Sequence, residues 1–479
     1  MLFAAVVTAV SLAAWLFFRA GEHLNYGDAE AHLNIARRIS DSITPGVEQI
    51  GTVWLPLPHV LTMPLANIDS LWHRGLAGTL VSAASAILAA WFLALAASRA
   101  YGTAAAGIVA ALVFAFNPNL LYLASAPMTE PLFFACEGAL LLSLVAYSKS
   151  GSAASAACAG LAAAACALTR YDGWFLLPIG ALIVFFAKRN MGHTLLFGAI
   201  AGAAPLYWFA HNRWFYGNWL EFYNGPYSPH GIQGDKPYPG RGDWFVALRY
   251  YGAASVANAG WGAIAIGAMG IAVSLVRRVW WPLLLAIVPL FYIASMHDGG
   301  SPIFLPGLWP NSYYNSRYGL AVLPLTAFAA GALAIRPWIA IALIAASVSP
   351  WFFYPRRDGW VVWKEAQVNG RARVAATQDA ALFLREEYKR GDRVFVSFGD
   401  LIRVPREAGI PLRETIHEGN GLIYPAALAR PDLFLWPRWV VAAEGSPESG
   451  MARKRNYELV RISRSGDRTV EIFKRRQER

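Results

Sequence analysis

Long apolar runs recur through the first three quarters of the chain, and short polar stretches separate them. A helix needs about 20 apolar residues to cross the hydrocarbon core of a bilayer, and these runs are close to that length. The pattern therefore predicts a mainly α, polytopic helical membrane bundle of about eleven spans. The expected spans lie near residues 3–20, 76–97, 104–120, 129–147, 152–168, 173–187, 193–210, 256–276, 279–295, 318–335 and 337–353.

The first run, MLFAAVVTAVSLAAWLFF, has no basic segment before it and no small-residue cleavage site after it. It is therefore predicted to be a retained first span and not a cleaved signal peptide. With a cytoplasmic N-terminus, every short inner turn carries Lys or Arg, as the positive-inside rule requires. The outer side then receives the long loops 21–75, 211–255 and 296–317 and the C-terminal tail.

Composition agrees with this membrane assignment. Hydrophobic residues make up 56% of the chain and charged residues 15%, whereas soluble proteins carry about 25% charged residues. The net charge of +11 indicates cytoplasmic loops and lipid phosphates as partners, and not nucleic acid. The three cysteines lie in apolar segments, where they form neither a disulfide framework nor a metal-ligand spacing.

The pattern changes near residue 356. VAATQDAALFLREEYKRG is typical of an amphipathic helix that ends at Gly391, and DRVFVSF and RWVVAAE are typical of strands. NYELVRISRSGDRTVEIFKR predicts a hairpin that turns at Ser465-Gly466-Asp467. The chain is thus divided into a transmembrane domain, 1–355, and a soluble α/β domain, 356–479, which is large enough for its own core.

The first outer loop places carboxylates at the membrane edge, in NYGDAEAHLNIARRI. Asp28 precedes a short helix that is expected to lie in the membrane interface. Two interpretations are open: Asp28 is the N-cap of this helix, or it is a carboxylate that takes a proton or binds a cation. Glu30 is expected to be its partner or the second end of a cation site. His32 lies on the same helical face, as a substrate-binding group or a hydrogen-bonded interfacial histidine.

Further polar side chains lie at the outward ends of the predicted spans. Aromatic belts and snorkelling arginines explain each of them singly, but together they surround one outward face. Arginine binds phosphate through a fork of N–H groups, and aromatic faces stack on sugars. The candidates are Arg170, Arg213 and Arg317 for a donor phosphate, and Glu130, Asp172, His211, Tyr314 and Tyr318, together with His32, for the substrate.

Four motifs resemble those of the multi-span glycosyltransferases of the GT-C class: GDAEAHLNIARRI with GTVWLPLPH, ALTRYDGW, NRWFYGNWLEF, and NSRYGLAVLP. The chain is most similar to the bacterial branch related to dolichyl-phosphate-mannose protein mannosyltransferases and lipid A aminoarabinose transferase. The resemblance covers roughly residues 1–340. It implies a polyprenyl-phosphate sugar donor outside the cytoplasm and a protein, lipid or glycan acceptor.

The resemblance also implies roles for single residues. Asp28 matches the essential acid of the first outer loop and is the expected general base, while Glu30 is the second acid of a D-x-E pattern. Arg317, aided by Arg170 or Arg213, would neutralise the charge that develops on the leaving phosphate. A single displacement at the anomeric carbon would invert its configuration.

A divalent metal ion is left open by this resemblance. Its oxygen and nitrogen ligands would come from Asp28, Glu30, His297 and Asp298. The D-x-E pair by itself does not establish such an ion.

Two other functions use the same lipid-linked ligands. A transporter or flippase of lipid-linked glycans tends to have internal repeats and broken spans near the midplane, and the sequence predicts neither. A sugar-polymer ligase or polymerase would share the donor. The expected location is the cell (inner) membrane, with the active site and the C-terminal domain facing outside.

Overall fold

A computed structural model describes residues 1–300, 302–353 and 359–476. The chain forms two compact units, each built from several stretches of sequence. The first unit comprises Met1–Gly21, Thr52–Pro58 and Thr79–Glu365, and the second comprises Glu22–Gly51, His59–Gly78 and Ala366–Arg479. This division differs from the predicted domains 1–355 and 356–479, because most of the first outer loop belongs to the same unit as the C-terminal segment.

Most of the described residues are helical. In chain order the helices are α1 (Leu2–Arg19), α2 (Gly27–Arg38), α3 (Leu57–Ala66), α4 (Asp69–His73), α5 (Leu76–Tyr101), α6 (Ala104–Ala115), α7 (Pro118–Ala124), α8 (Glu130–Ser150), α9 (Ala153–Thr169), α10 (Leu176–Lys188), α11 (Met191–Tyr216), α12 (Glu221–Asn224), α13 (Pro229–Gln233), α14 (Trp244–Ala259), α15 (Trp261–Val276), α16 (Trp281–Asp298), α17 (Leu323–Ala330), α18 (Pro337–Phe353), α19 (Val361–Glu387), α20 (Arg403–Ala408), α21 (Ile423–Ala429) and α22 (Pro447–Lys454).

Among the described residues, six helices are long and apolar enough to cross a membrane, and the number is eight if each of two bent helix pairs is one span. The six are α1, α5, α8, α10 extended by the 3₁₀ turn Tyr171–Phe175, α11 and α16. Helices α3, α9 and α18 are apolar but shorter. The predicted span at 318–335 is instead the short helix α17 between two 3₁₀ turns. Pro324 lies in the first turn of α17, where it cannot continue a helix from the preceding residues.

Two helix pairs are sharply bent, each forming either a broken span or a re-entrant loop. Helices α6 and α7 meet at 70° and α14 and α15 at 108°. The sequence analysis predicted neither bend, and α14 falls largely within the predicted outer loop 211–255. Pro118 is the first residue of α7 and follows the N-cap residue Asn117. The side-chain oxygen of Asn117 accepts a hydrogen bond from the backbone N–H of Leu120 at 3.1 Å. Gly260 turns the chain between α14 and α15 at φ +86°, a conformation that favours glycine.

Small residues let the membrane helices approach closely. A Cβ atom at Gly160 of α9 would lie 3.1 Å from the carbonyl oxygen of Phe197 in α11. One at Gly270 of α15 would overlap the carbonyl oxygen of Ala329 in α17. Glycine at these sites allows backbone-to-backbone packing, which is common between membrane helices.

The second unit contains a five-stranded sheet of order β2-β1-β3-β5-β4. Its strands are β1 (Val394–Val396), β2 (Thr415–Ile416), β3 (Trp439–Ala443), β4 (Tyr457–Ser465) and β5 (Arg468–Arg475). Strand β1 is parallel to β2 and β3, while β5 is antiparallel to β3 and β4. The predicted strands and hairpin are confirmed, and β2, with only two residues, was missed.

Helix α2 belongs to this second unit and is enclosed by protein. Every residue from Ala29 to Arg37 is buried. Within the unit, Asn34 Nδ2 donates to the carbonyl oxygen of Ile402 at 3.3 Å, and Asp41 Oδ1 pairs with Arg413 Nη1 at 2.9 Å. The residues of α2 therefore contact protein within the second unit, and the position of this helix relative to the membrane interface stays a prediction.

Candidate functional site

A buried network of arginines and carboxylates lies in the first unit. Glu130 begins α8, Arg170 follows the last residue of α9, and Arg317 lies in the 3₁₀ turn Ser316–Val322. Glu130 Oε1 accepts from Arg170 Nη1 and from Arg317 Nε, both at 3.1 Å. The structure thus brings together three of the predicted site residues, and one carboxylate oxygen joins the two guanidinium groups.

Arg170 makes most of the contacts in this network. Its Nη1 also donates to Thr129 Oγ1 at 2.9 Å, and its Nε lies 3.4 Å from Asp172 Oδ2. Its Nη2 donates to the Tyr292 hydroxyl at 2.6 Å, and that hydroxyl donates to Asp172 Oδ2 at 2.9 Å. The Arg170 side chain is therefore fixed on all sides, and Asp172 acts as a partner of Arg170.

Arg317 and Arg170 share an aromatic surface. Their guanidinium carbons lie 5.2 Å and 5.4 Å from the centre of the Tyr318 ring, within the range of cation–π attraction. Tyr318 stacks on Tyr292 at 4.9 Å between ring centres. The predicted substrate residue Tyr318 thus lies beside both candidate phosphate-binding arginines.

Glu365 completes the described network and was missed by the sequence analysis. Its Oε1 lies 3.8 Å from Arg317 Nη1, and its Oε2 accepts from the backbone N–H of Ser316 at 2.8 Å and from the Ser316 hydroxyl. It is 2% exposed. The sequence signal was a charged residue within the apolar stretch VVWKEAQV, but the predicted domain boundary at 356 separated it from the membrane region.

The predicted phosphate ligand Arg213 and the predicted substrate residues His211 and Tyr314, all in the first unit, have contacts of their own. Arg213 is exposed at the end of α11, and its Nη1 donates to the carbonyl oxygen of Gly217 at 2.9 Å. His211 is buried and stacks on Trp208 at 4.7 Å. Tyr314 is 43% exposed and forms a backbone bridge with Phe304.

The predicted metal ligands do not form a metal site. His297 Nδ1 lies 2.7 Å from Asp298 Oδ1 at the end of α16, and the His297 ring stacks on Trp244 at 4.1 Å. Within residues 1–300, 302–353 and 359–476, no three His, Cys, Asp or Glu side chains are grouped so that they could hold a metal ion. The set Asp28, Glu30, His297 and Asp298 is therefore not such a group.

Asp28 lies in the second unit, in the first turn of α2. The N-cap of this helix is Tyr26, so the interpretation of Asp28 as the N-cap is wrong. The side chain is half-buried. A Cβ atom at the preceding Gly27 would lie 3.6 Å from the guanidinium carbon of Arg373, so a positive charge lies beside this turn.

Glu30 is an ion-pair partner inside the second unit. It is fully buried, and its carboxylate accepts from Arg406 Nη2 at 2.6 Å and Nε at 2.8 Å, while Arg403 Nη1 lies at 3.5 Å. Burial alone would raise the pKa of Glu30, but the two arginines outweigh it and hold the pKa below its usual value. Both oxygens are engaged by Arg406, so this geometry indicates a structural carboxylate and not a catalytic or metal-binding one.

His32 forms a buried pair with another histidine. Its Nδ1 lies 2.9 Å from His59 Nε2 of α3. One imidazole must donate and the other accept, because two protonated rings could not share this hydrogen bond. The pair connects α2 to α3, which matches the hydrogen-bonded histidine that was one of the two interpretations.

No protein-family model and no curated protein sequence matches this chain. The structure of ArnT from Cupriavidus metallidurans bound to undecaprenyl phosphate is similar to it, with a TM-score of 0.63 and 16% identity over 98% of this chain and 97% of that chain. ArnT in the apo state gives a TM-score of 0.62 with the same identity and coverage. The apo oligosaccharyltransferase of Archaeoglobus fulgidus gives 0.51 and 12% identity over 92% of this chain and 69% of that chain. These matches confirm the predicted GT-C-like fold and the resemblance at the level of fold.

Proposed function

We propose that the chain is a membrane glycosyltransferase that moves a sugar from a polyprenyl-phosphate donor to an acceptor. The observation that carries this proposal is the common fold, over 98% of the chain, with an ArnT that is bound to undecaprenyl phosphate. A lipid phosphate in a protein of this fold supports the same class of donor here. The proposed location is the inner membrane, with transfer on its outer side, as the distribution of basic residues indicates.

Arg317 is the proposed contact to the donor phosphate. As the bond to the anomeric carbon breaks, negative charge grows on the leaving polyprenyl phosphate, and a fixed guanidinium stabilises it. Arg170 has the four partners Thr129, Glu130, Asp172 and Tyr292, so we assign it to positioning Glu130 and the Tyr318 ring. The exposed Arg213 is not part of this proposal.

Asp28 is the proposed general base. It would accept the proton from the acceptor hydroxyl or amine while the acceptor oxygen or nitrogen bonds to the anomeric carbon and the phosphate leaves with its bonding electrons. Attack opposite to the leaving group inverts the anomeric centre. Glu30, which is enclosed by Arg406 and Arg403, keeps only a structural role in this scheme.

A carrier of lipid-linked glycans is the second candidate, and the two bent helix pairs favour it. A carrier moves its lipid intact, whereas a transferase breaks the bond between sugar and phosphate. Release of polyprenyl phosphate therefore distinguishes the two candidates directly.

The test is transfer of labelled sugar from purified polyprenyl-phosphate sugars by the detergent-solubilised chain. We expect Asp28→Asn to lower the rate by about 10²- to 10⁴-fold, the usual contribution of a general base. Asp467→Asn is the matched control, because Asp467 is 82% exposed in a hairpin turn and should leave the rate unchanged. Equal rates for Asp28→Asn and the wild type would refute the role of Asp28. Movement of intact donor across a vesicle membrane, without release of polyprenyl phosphate, would instead establish the carrier.

A further inference from the structure

A pocket of about 510 Å³ opens on the second unit. Helices α4, α19 and α20 supply its walls. The residues that matter for its chemistry are His73, Gln378, Leu382, Arg385, Arg406 and Glu407. Its volume is in the range of small-molecule sites.

The charges around this pocket leave one guanidinium without a carboxylate. Glu407 Oε1 pairs with Arg403 Nη2 at 2.6 Å, and Glu30 pairs with Arg406. Arg385 is exposed, and its Nη2 donates to the backbone carbonyl of Glu407. Within the described part of the chain, Arg385 has no ion pair, so three arginines are matched by two carboxylates and the excess positive charge lies on Arg385.

Two further side chains have unused hydrogen-bonding capacity toward the pocket. His73 Nδ1 lies 2.9 Å from the carbonyl oxygen of Arg406. A carbonyl only accepts, so Nδ1–H donates in this bond, and Nε2 has no hydrogen bond among the described residues. The amide of Gln378 is exposed and makes no hydrogen bond among the residues that the structure describes. A ligand hydroxyl can donate to His73 Nε2 and exchange hydrogen bonds with Gln378.

Apolar groups lie next to these polar ones. Leu382 is 48% exposed, and the small side chains of Ala381 and Ala408 line the same pocket. A guanidinium that donates to an anion, polar partners for hydroxyl groups and an exposed apolar side chain are the features that a charged sugar needs. We propose that this pocket binds an anionic carbohydrate, with Arg385 on its phosphate or carboxylate and with His73 and Gln378 on its hydroxyls.

The binding site stands apart from the proposed transfer reaction. The ligand class is an anionic glycan or the headgroup of an anionic glycolipid, and this assignment rests on the proposed function only for the presence of such carbohydrates near the chain. Because binding is measured without turnover, failure of this inference can be separated from failure of the transferase proposal.

The test is saturation-transfer NMR of the full chain in nanodiscs, with glucose 1-phosphate and glucuronate as probes. We expect both to bind and glucose itself to bind about tenfold more weakly, because a charge-assisted hydrogen bond is lost. Arg385→Gln should weaken both anionic probes by about tenfold. Arg371→Gln, an exposed arginine of the same helix outside the pocket lining, should leave binding unchanged.

Binding that is equal in Arg385→Gln and the wild type would overturn the proposal, as would the absence of saturation transfer to either anionic probe. Full displacement of glucose 1-phosphate by an equal concentration of inorganic phosphate would overturn the carbohydrate part. Because Arg385 is exposed, its replacement is expected to fold, and an unchanged melting temperature checks this.

Discussion

Arg170 is the residue on which the buried polar contacts of the first unit depend. We expect Arg170→Gln to lower the free energy of unfolding by about 3–5 kcal/mol, because the buried Glu130 and Asp172 each lose a charged partner. Thermal or denaturant unfolding in detergent measures the change. Arg213→Gln is the matched control: this exposed arginine has one described contact, to a backbone carbonyl, and its loss should cost less than about 0.5 kcal/mol. Equal effects of the two substitutions would contradict the network.

His417 makes the second unit sensitive to acid. Burial, together with the nearby charge of Arg38, lowers the pKa of His417 well below its usual value. His417 Nδ1 accepts from the backbone N–H of Gly419 at 3.1 Å, and protonation would break that bond. The pKa of His417 is lower in the folded chain than in the unfolded chain, where a histidine pKa is about 6.5. The folded state therefore keeps this contribution to its stability above about pH 6.5 and loses it as the pH falls below about 6.5.

We therefore expect the melting temperature of the wild type to fall between pH 7.5 and pH 5.5, measured by scanning calorimetry. His417→Asn cannot titrate, but asparagine can still accept the hydrogen bond from Gly419 as an N-cap. The variant should show a smaller decrease over the same interval. An identical decrease would show that other groups cause the sensitivity.

At the level of single residues, the sequence predicted the network better than it predicted the partners of α2. Glu130, Arg170, Asp172 and Arg317 stood out because charges are rare at the ends of apolar spans, and the structure joins them. The ion pair of Glu30 was not predicted because its partner Arg406 follows 376 residues later in the chain. Local periodicity carries no information about such a distant pair.

At the level of elements, apolar runs predicted where helices occur but not where they bend. The positions of α1, α5, α8, α11 and α16 follow from composition and length alone. The bends at Pro118 and Gly260 were missed because an apolar count treats a run as continuous even where proline or a left-handed glycine interrupts its hydrogen bonds.

The segment between α11 and α14 exposes many large aromatic side chains. Trp219 is 55% exposed, Tyr223 59% and Tyr227 63%. The segment continues from the exposed apolar surface of α11, where Leu206 is 68% exposed. Trp and Tyr favour the interface between hydrocarbon and water, so we expect this segment to lie against lipid headgroups.

Spin labelling in a cysteine-free background tests this expectation. A nitroxide at Trp219→Cys in nanodiscs should be more accessible to oxygen than to a water-soluble nickel chelate. The control Asp467→Cys, in the exposed hairpin turn of the second unit, should show the reverse. Similar accessibility at both positions would place the aromatic segment in water.

At the level of the whole molecule, the second unit is discontinuous in sequence. The predicted boundary at residue 356 rested on composition, which could not show that α2 and α4 belong to the same compact unit as the C-terminal segment. The strands β1, β3, β4 and β5 were predictable because each is a local run that contains β-branched or aromatic residues. The helices that accompany them were not, because their buried polar residues resembled those of a membrane interface.

Truncation after residue 355 should therefore destabilise the N-terminal parts of the second unit as well as removing its C-terminal part. It removes Arg403, Arg406 and Arg413, which leaves Glu30 and Asp41 without these partners. We expect the truncated chain to give an aggregated profile in size-exclusion chromatography and rapid proteolysis within residues 22–51. A monodisperse, protease-resistant product would contradict the discontinuous unit.

Because the second unit is discontinuous in sequence, its parts are synthesised at different times. Residues up to Gly78 are made first, and Ala366 emerges about 290 residues later, which is about 15–60 s at about 5–20 residues per second. During that interval the carboxylate of Glu30 and the apolar face of α2 have none of their C-terminal partners. A nascent chain in this state is a substrate for chaperones and proteases, so the yield of folded protein should depend on how quickly its last quarter is completed.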